Sequence, residues 1–398
     1  MQDSAIFGPT LLTRQSAEHR AALPFGVVHN DTFSWMVLTS PDPAVPCSPV
    51  RPAKRHRSPS QLGLFVALAL ALPVTLTPAS SQASPSPFRA SASPSKALPT
   101  LSQLEADIQQ SVQVKVAPNL ATTVPPLLSV GTTPPQLDHP DPGACYPNTN
   151  DATTVPEDLS TACAWGNTSA KRSIFLFGDS QAWMWLPAFD AIGRTVDWKI
   201  YFTAMPGCPP WIDPTKVNYD GSSAVICNKY QHAEIRAIDA LHPQFVLPLG
   251  MEADYGRGHW ATPAQFVSQL ESLSDALRPS GARLLFLDPI PQFNSDFTSA
   301  TPQTCLTAHA REIQSCFFPP KDLVAPWLLQ GIAQLVSRNP GSALVDTTPL
   351  FCTQQHCALF VVGGGAVHLV YEDAYHMNLW YSFWISSALQ TLLAPELH

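Results

Sequence analysis

Charge is the first thing this 398-residue chain lacks. Only 13% of its residues are Asp, Glu, Lys or Arg, about half the usual share. Six of the 22 Lys and Arg and four of the 30 Asp and Glu lie at or before Ala83, leaving 16 basic against 26 acidic residues beyond it. Such a surface repels a phosphate backbone, which excludes nucleic acid as a partner. No apolar run reaches the about 20 residues that a membrane span requires; the longest, 62–76, is interrupted by Pro73. Gly363, Gly364 and Gly365 are not followed by Lys-Ser or Lys-Thr, so they read as a tight turn and not a phosphate-binding loop. No two cysteines have the two-residue spacing common among zinc ligands, and no internal repeat is visible.

What is present begins with proline, 41 residues, much of it before residue 145, and with a hydrophobic share of 45% that can fill a full core. Residues 1–60 have no sustained periodicity and read as a disordered or mis-assigned extension. Residues 61–83 read as a signal peptide or membrane anchor. Arg51, Lys54, Arg55 and Arg57 form a basic flank, the apolar run follows, and Ser81-Gln82-Ala83 offers a cleavage site. The unusual length ahead of this run is accounted for by a later start, at Met36 or Val50, or by an uncleaved single N-terminal anchor. Basic residues on its N-terminal side put the remainder outside the cytoplasm in either case. Residues 84–143, rich in Pro, Ser, Thr and Ala, read as a linker. Within it Leu101, Leu104, Ile108 and Val112 recur at helical spacing and predict a short helix packed on the domain.

Residues 144–398 are expected to form one domain. Continuous apolar runs at 173–177, 198–203, 245–249, 283–288 and 342–346 predict strands buried on both faces. Helical patterns lie between and after them, at 182–194, 227–241, 266–277, 322–338 and 378–393. This alternation predicts an α/β fold: three α/β/α layers around a mostly parallel five-stranded sheet, with sites at the carboxyl ends of the strands. Apart from Cys47, the cysteines are eight in number and fall into local pairs, 145–163, 208–227, 305–316 and 352–357. Proximity suggests that pairing out of about 105 connectivities, and the export signal favours disulfides over thiols. His356 between Cys352 and Cys357 would suit a metal, but a small disulfide loop is the simpler reading.

Two motifs carry chemistry. Gly178-Asp179-Ser180 ends the first strand and opens a helix, which would expose the Ser180 hydroxyl above the sheet with its own N–H at a helix N-terminus. On those residues alone a helix N-cap is an equal reading. Asp373-Ala-Tyr-His376 precedes the final helix. Its His can act as general base and its Asp can orient that His, although a lone Asp-x-x-His is a weak motif. Trp183, Trp185, Trp211 and Trp260 could stack on sugar rings, but tryptophan on such helices is more often core.

Together these blocks resemble the first and last blocks of the SGNH (GDSL-like) hydrolase superfamily. The run Gly178-Asp-Ser-Gln-Ala-Trp-Met-Trp-Leu-Pro-Ala188, followed by Pro206-Gly-Cys-Pro-Pro210, resembles more closely the SGNH domain fused to membrane acyltransferases that O-acetylate surface polysaccharides. The resemblance runs from about Cys145 to the C-terminus. It implies an SGNH/flavodoxin-like fold, a triad of Ser180, Asp373 and His376, and an oxyanion hole made by the N–H groups of Ser180 and Gly207. It further implies an exported serine O-acyltransferase or esterase that needs no metal or organic cofactor, with a cell-envelope glycan as substrate and a membrane acyl-donor protein as partner.

Two departures stand out. Gln181 replaces the His usual after the nucleophile in the related domains. Glu252 stands where the superfamily has an oxyanion-binding Asn, and an ionised carboxylate there would repel the oxyanion. They motivate an alternative of another class, a catalytically silent glycan-binding domain on the same fold. An α/β-hydrolase elbow fits poorly, because Ala182 replaces its last Gly and too little chain precedes Ser180 for the strands that come before such an elbow.

Overall fold

Ile174 to Phe177 are wholly buried because the strand that carries them lies at the centre of a parallel sheet, with neighbours on both sides. This computed structural model describes residues 98–126, 142–147, 159–211, 224–250, 263–293 and 301–397. The chain falls into two units, Met1–Pro85 and Ser86–His398, and every described residue belongs to the second. The extension, the signal-like run and about half of the Pro-rich segment, 84–97 and 127–141, lie outside the described residues.

The strands are β1 (Ala164–Gly166), β2 (Arg172–Gly178), β3 (Trp198–Ala204), β4 (Phe245–Leu249), β5 (Arg283–Leu287) and β6 (Ala343–Val345), in the spatial order β1-β3-β2-β4-β5-β6. All neighbouring pairs are parallel except β1 with β3. The expected five parallel strands are present, but the sheet has six. The addition is β1, a three-residue antiparallel edge strand too short to show a pattern. A separate hairpin pairs β7 (Phe360–Gly363) with β8 (Ala366–Leu369). Gly364 and Gly365, both with positive φ, make its two-residue turn, where only glycine is unstrained.

The helices are α1 (Leu101–Ser111), α2 (Leu159–Ala162), α3 (Ser180–Val196), α4 (Ala224–Leu241), α5 (Pro263–Leu277), α6 (Pro302–Ala308), α7 (Pro326–Arg338), α8 (Leu379–Trp384) and α9 (Ser386–Leu393). One layer contains α3 packed against α8 and α9, with α1 against α9; the other contains α4, α5 and α7. Two helices depart from expectation. The stretch expected as helix from 322 begins only at Pro326, whose fixed φ suits a first helical position, and the closing helix breaks at Ile385 into α8 and α9. Helix α1 opens with a Thr100–Gln103 capping box and buries Leu104 and Ile108.

The order of the parallel strands reverses at β2, with β3 on one side and β4 on the other, which places the crevice for a ligand above the end of β2. The four cysteine pairs 145–163, 208–227, 305–316 and 352–357 are joined as disulfides. Among the described residues, no group of three or more His, Cys, Asp or Glu could hold a metal ion, and no helix is long and apolar enough to cross a membrane.

Candidate active site

At the end of β2 the chain must turn sharply past β4. Gly178 has φ +136°, and a Cβ there would lie 1.9 Å from the carbonyl oxygen of Leu249. Glycine is the one residue that fits. Asp179 follows, fully buried, and its carboxylate accepts from the Gln181 N–H at 2.8 Å as the N-cap of α3. Ser180 is thereby the first residue of the helix and is partly exposed. The N-cap that could have explained a serine here is Asp179, so the Ser180 hydroxyl is left for another partner.

That partner comes from the other end of the chain. His376 Nε2 lies 2.7 Å from Ser180 Oγ, and His376 Nδ1 lies 2.8 Å from Asp373 Oδ2. The second oxygen of Asp373 accepts the N–H groups of Tyr375 and His376 at 2.7 and 2.8 Å. A carboxylate can only accept, so Nδ1 donates and Nε2 is left to accept the serine proton. The loop is closed by Glu372 N–H to His376 O at 2.9 Å and Asn378 N–H to Val370 O at 2.8 Å. It is also tied to α3, where the Gln181 side-chain amide donates to Tyr375 O at 2.9 Å. Gln181 thus fastens the histidine loop to the turn that carries Ser180.

Burial alone would lower the pKa of His376. The hydrogen bond and charge of Asp373, with Glu372 and Asp179 behind, outweigh burial and raise it above the ordinary histidine value. Glu372 is itself pushed up, by burial first and by Asp373 next, against the pull of His376.

The loop after β3 supplies the other expected residue. Cys208 N–H bonds to Met205 O at 3.0 Å, and Gly207 has φ +68°. Pro206 and Gly207 occupy the positions these residues favour in a type II turn. Among the described residues, neither the Gly207 N–H nor the Ser180 N–H has a backbone acceptor. The loop packs over the end of β4, where a Cβ on Gly250 would lie 2.5 Å from the Trp211 ring and 2.7 Å from Pro210. Glu252 and Trp260 lie outside the described residues. Trp185 and Trp211 are core residues, and Trp183 stacks on Tyr146 with ring centroids 5.7 Å apart.

Residues 144–391 match the protein family described as SGNH domain (fused to AT3 domains). The chain belongs to the SGNH family. Solved structures similar to it include the periplasmic domain of a lipopolysaccharide acetyltransferase from Salmonella ser. Paratyphi A, at 16% identity over 64% of this chain and 91% of that one, TM-score 0.47. A GDSL-like lipase from Bacteroides thetaiotaomicron is similar at 12% identity, 57% and 89% coverage and TM-score 0.31. An acetylxylan esterase from Geobacillus stearothermophilus is similar at 9% identity, 56% and 94% coverage and TM-score 0.27. The chain matches no curated protein. As an SGNH domain it is of hydrolase or acyltransferase type.

Sequence reasoning overlooked the polar face of α4. Tyr230, Gln231 and Glu234 are all buried, and they recur with Cys227 at helical spacing. That recurrence of polar residues on one face was the available signal.

Proposed function

We propose that this SGNH domain is an extracytoplasmic serine O-acyltransferase or esterase acting on acyl groups of a cell-envelope polysaccharide, with Ser180, His376 and Asp373 as its catalytic triad. The observation that carries the reading is the continuous hydrogen-bond chain from Ser180 Oγ through His376 to Asp373. The acyl carbonyl carbon is attacked by Ser180 Oγ while His376 Nε2 takes the hydroxyl proton. The tetrahedral oxyanion is held by the N–H groups of Ser180 and Gly207. His376 then protonates the departing oxygen, and the C–O bond to the leaving alcohol breaks to leave an acyl-serine. An incoming sugar hydroxyl or water gives its proton to His376, attacks the ester and releases Ser180. Asp373 fixes the imidazole tautomer and stabilises the imidazolium.

An oxidising compartment is supported by the four disulfides and by the basic and apolar segment around residues 51–76. The association of this family with AT3 domains makes a membrane acyl-donor protein the natural partner and a glycan hydroxyl the natural acceptor. The decisive test is fluorophosphonate labelling and p-nitrophenyl acetate hydrolysis by the full chain, beside Ser180→Ala and His376→Ala. Both activities are expected to depend on both residues. Labelling or turnover that survives Ser180→Ala would leave the silent glycan-binding reading in possession of the site.

A further inference from the structure

Four buried side chains of α4, at positions 227, 230, 231 and 234, lie on a single helix face. All four reach the same stretch of chain, residues 203–211, which runs from the end of β3 through Gly207. Cys227 is joined to Cys208. The Tyr230 hydroxyl donates to Ala204 O at 3.4 Å. The Gln231 side-chain amide donates to Pro209 O at 2.5 Å and to Trp211 O at 2.7 Å. The Glu234 carboxyl accepts from the Thr203 hydroxyl at 3.0 Å.

Beyond the Cys208 N–H to Met205 O bond, this stretch has few means of fastening itself. Pro206, Pro209 and Pro210 have no N–H to donate, and the carbonyls of the buried Pro209 and Trp211 need a donor. We propose that this face of α4 holds the Gly207 N–H in place as an oxyanion donor, with Gln231 as the principal positioning residue. The proposal rests on the acyl-transfer reading above. A donor stabilises developing charge only if it is fixed beforehand. Gln231 touches neither substrate nor the reacting atoms; it acts through the two carbonyls that follow Gly207. Glu234 fits the same design. Burial pushes its carboxyl well above the ordinary range, against the Thr203 hydroxyl and the Gly178 N–H, and Asp179 adds to the rise. Its bond to the Thr203 hydroxyl ties α4 to the end of β3.

The test uses the full chain carrying Gln231→Met, which keeps the length of the side chain and removes both donors. Displacement of a donor by about 1 Å costs up to about 10²-fold, so kcat for p-nitrophenyl acetate is expected to fall about 10- to 100-fold at nearly constant KM. Fluorophosphonate labelling of Ser180 is expected to slow in parallel, because the phosphoryl oxygen takes the oxyanion's place. Amide exchange across 203–211 is expected to quicken while that of β5 stays as it is. Gln231→Asn, one methylene too short to reach both carbonyls, serves if the Met variant does not fold, with the same expectations. A folded variant with wild-type kcat and labelling, or one that loses only in KM, overturns the role of Gln231. A wild-type chain that the fluorophosphonate does not label at Ser180 overturns the acyl-transfer reading itself, and this proposal with it.

Discussion

His376 Nε2 stands 2.7 Å from Ser180 Oγ across a separation of 196 residues, and the amide of Gln181 holds the two loops together by its bond to Tyr375 O. The turn that carries Ser180 and the histidine loop are one assembly, which sets what the neighbouring groups would do in the proposed mechanism.

Asp373→Asn is expected to leave the loop folded, because the side-chain oxygen can still accept the N–H groups of Tyr375 and His376. The other side-chain atom then becomes a donor facing Nδ1 and favours the wrong tautomer. On the precedent of serine triads kcat should fall by about 10⁴. Steady-state kinetics with p-nitrophenyl acetate measures the loss, and circular dichroism checks the fold.

In the proposed mechanism His376 acts as a neutral base, so the rate is expected to rise as pH climbs through its pKa. That pKa is raised, and the midpoint of the acid limb of kcat/KM should therefore lie above the ordinary histidine value of about 6.5. Glu372 is one of the charges that raise it. Glu372→Gln should move the acid limb to lower pH. A limb that stays in place, or moves up, would remove Glu372 from the field acting on His376.

Asp288, at the end of β5, is pushed up to about 7 by burial and by its hydrogen bond to and charge repulsion from Asp346. The unfolded chain ionises this group near the ordinary aspartate value and the folded chain does so only near 7. Its contribution to stability is thus fully present at low pH, is lost as pH rises between those values, and stays lost above them. Because the pair is partly open to water, the loss is on the order of 1 kcal/mol. Asp288→Asn should narrow the gap in Tm between pH 5 and pH 8, as thermal melts would show.

Leu104 and Ile108 of α1 are wholly buried, although they precede the 144–391 family match. Leu104→Ala or Ile108→Ala should each cost about 2–5 kcal/mol, measured by urea unfolding. A chain begun at residue 144 should melt lower than one begun ahead of Thr100.

The parts of this fold that were legible in the sequence are those with one kind of signal over enough residues. The five parallel strands showed because residues such as Ile174 to Phe177 and Val246 to Leu247 are apolar without alternation, as burial on both faces demands. Ala164-Trp165-Gly166 is three residues long and pairs at an edge, so no period could declare it. The break at Ile385 left the apolar pattern of the closing segment intact and hence invisible. Gly178-Asp179-Ser180 and Asp373 to His376 were readable because their spacing is local. The bond from Gln181 to Tyr375 O, and the face of α4, depend on elements far apart in the chain. A search for apolar periodicity passes over Tyr230, Gln231 and Glu234, since burial there is secured by hydrogen bonds and not by apolar character.

Each cysteine in the four disulfides is joined to the next one along the chain, at separations of 18, 19, 11 and 5 residues. A polypeptide threaded N-terminus first into an oxidising space would therefore present each of these eight cysteines with its mate before the next of the eight arrives. No pair has to wait for the C-terminus, and no bond has to be broken and remade to reach the native set. For these eight cysteines, order along the chain would by itself be a sufficient instruction for pairing.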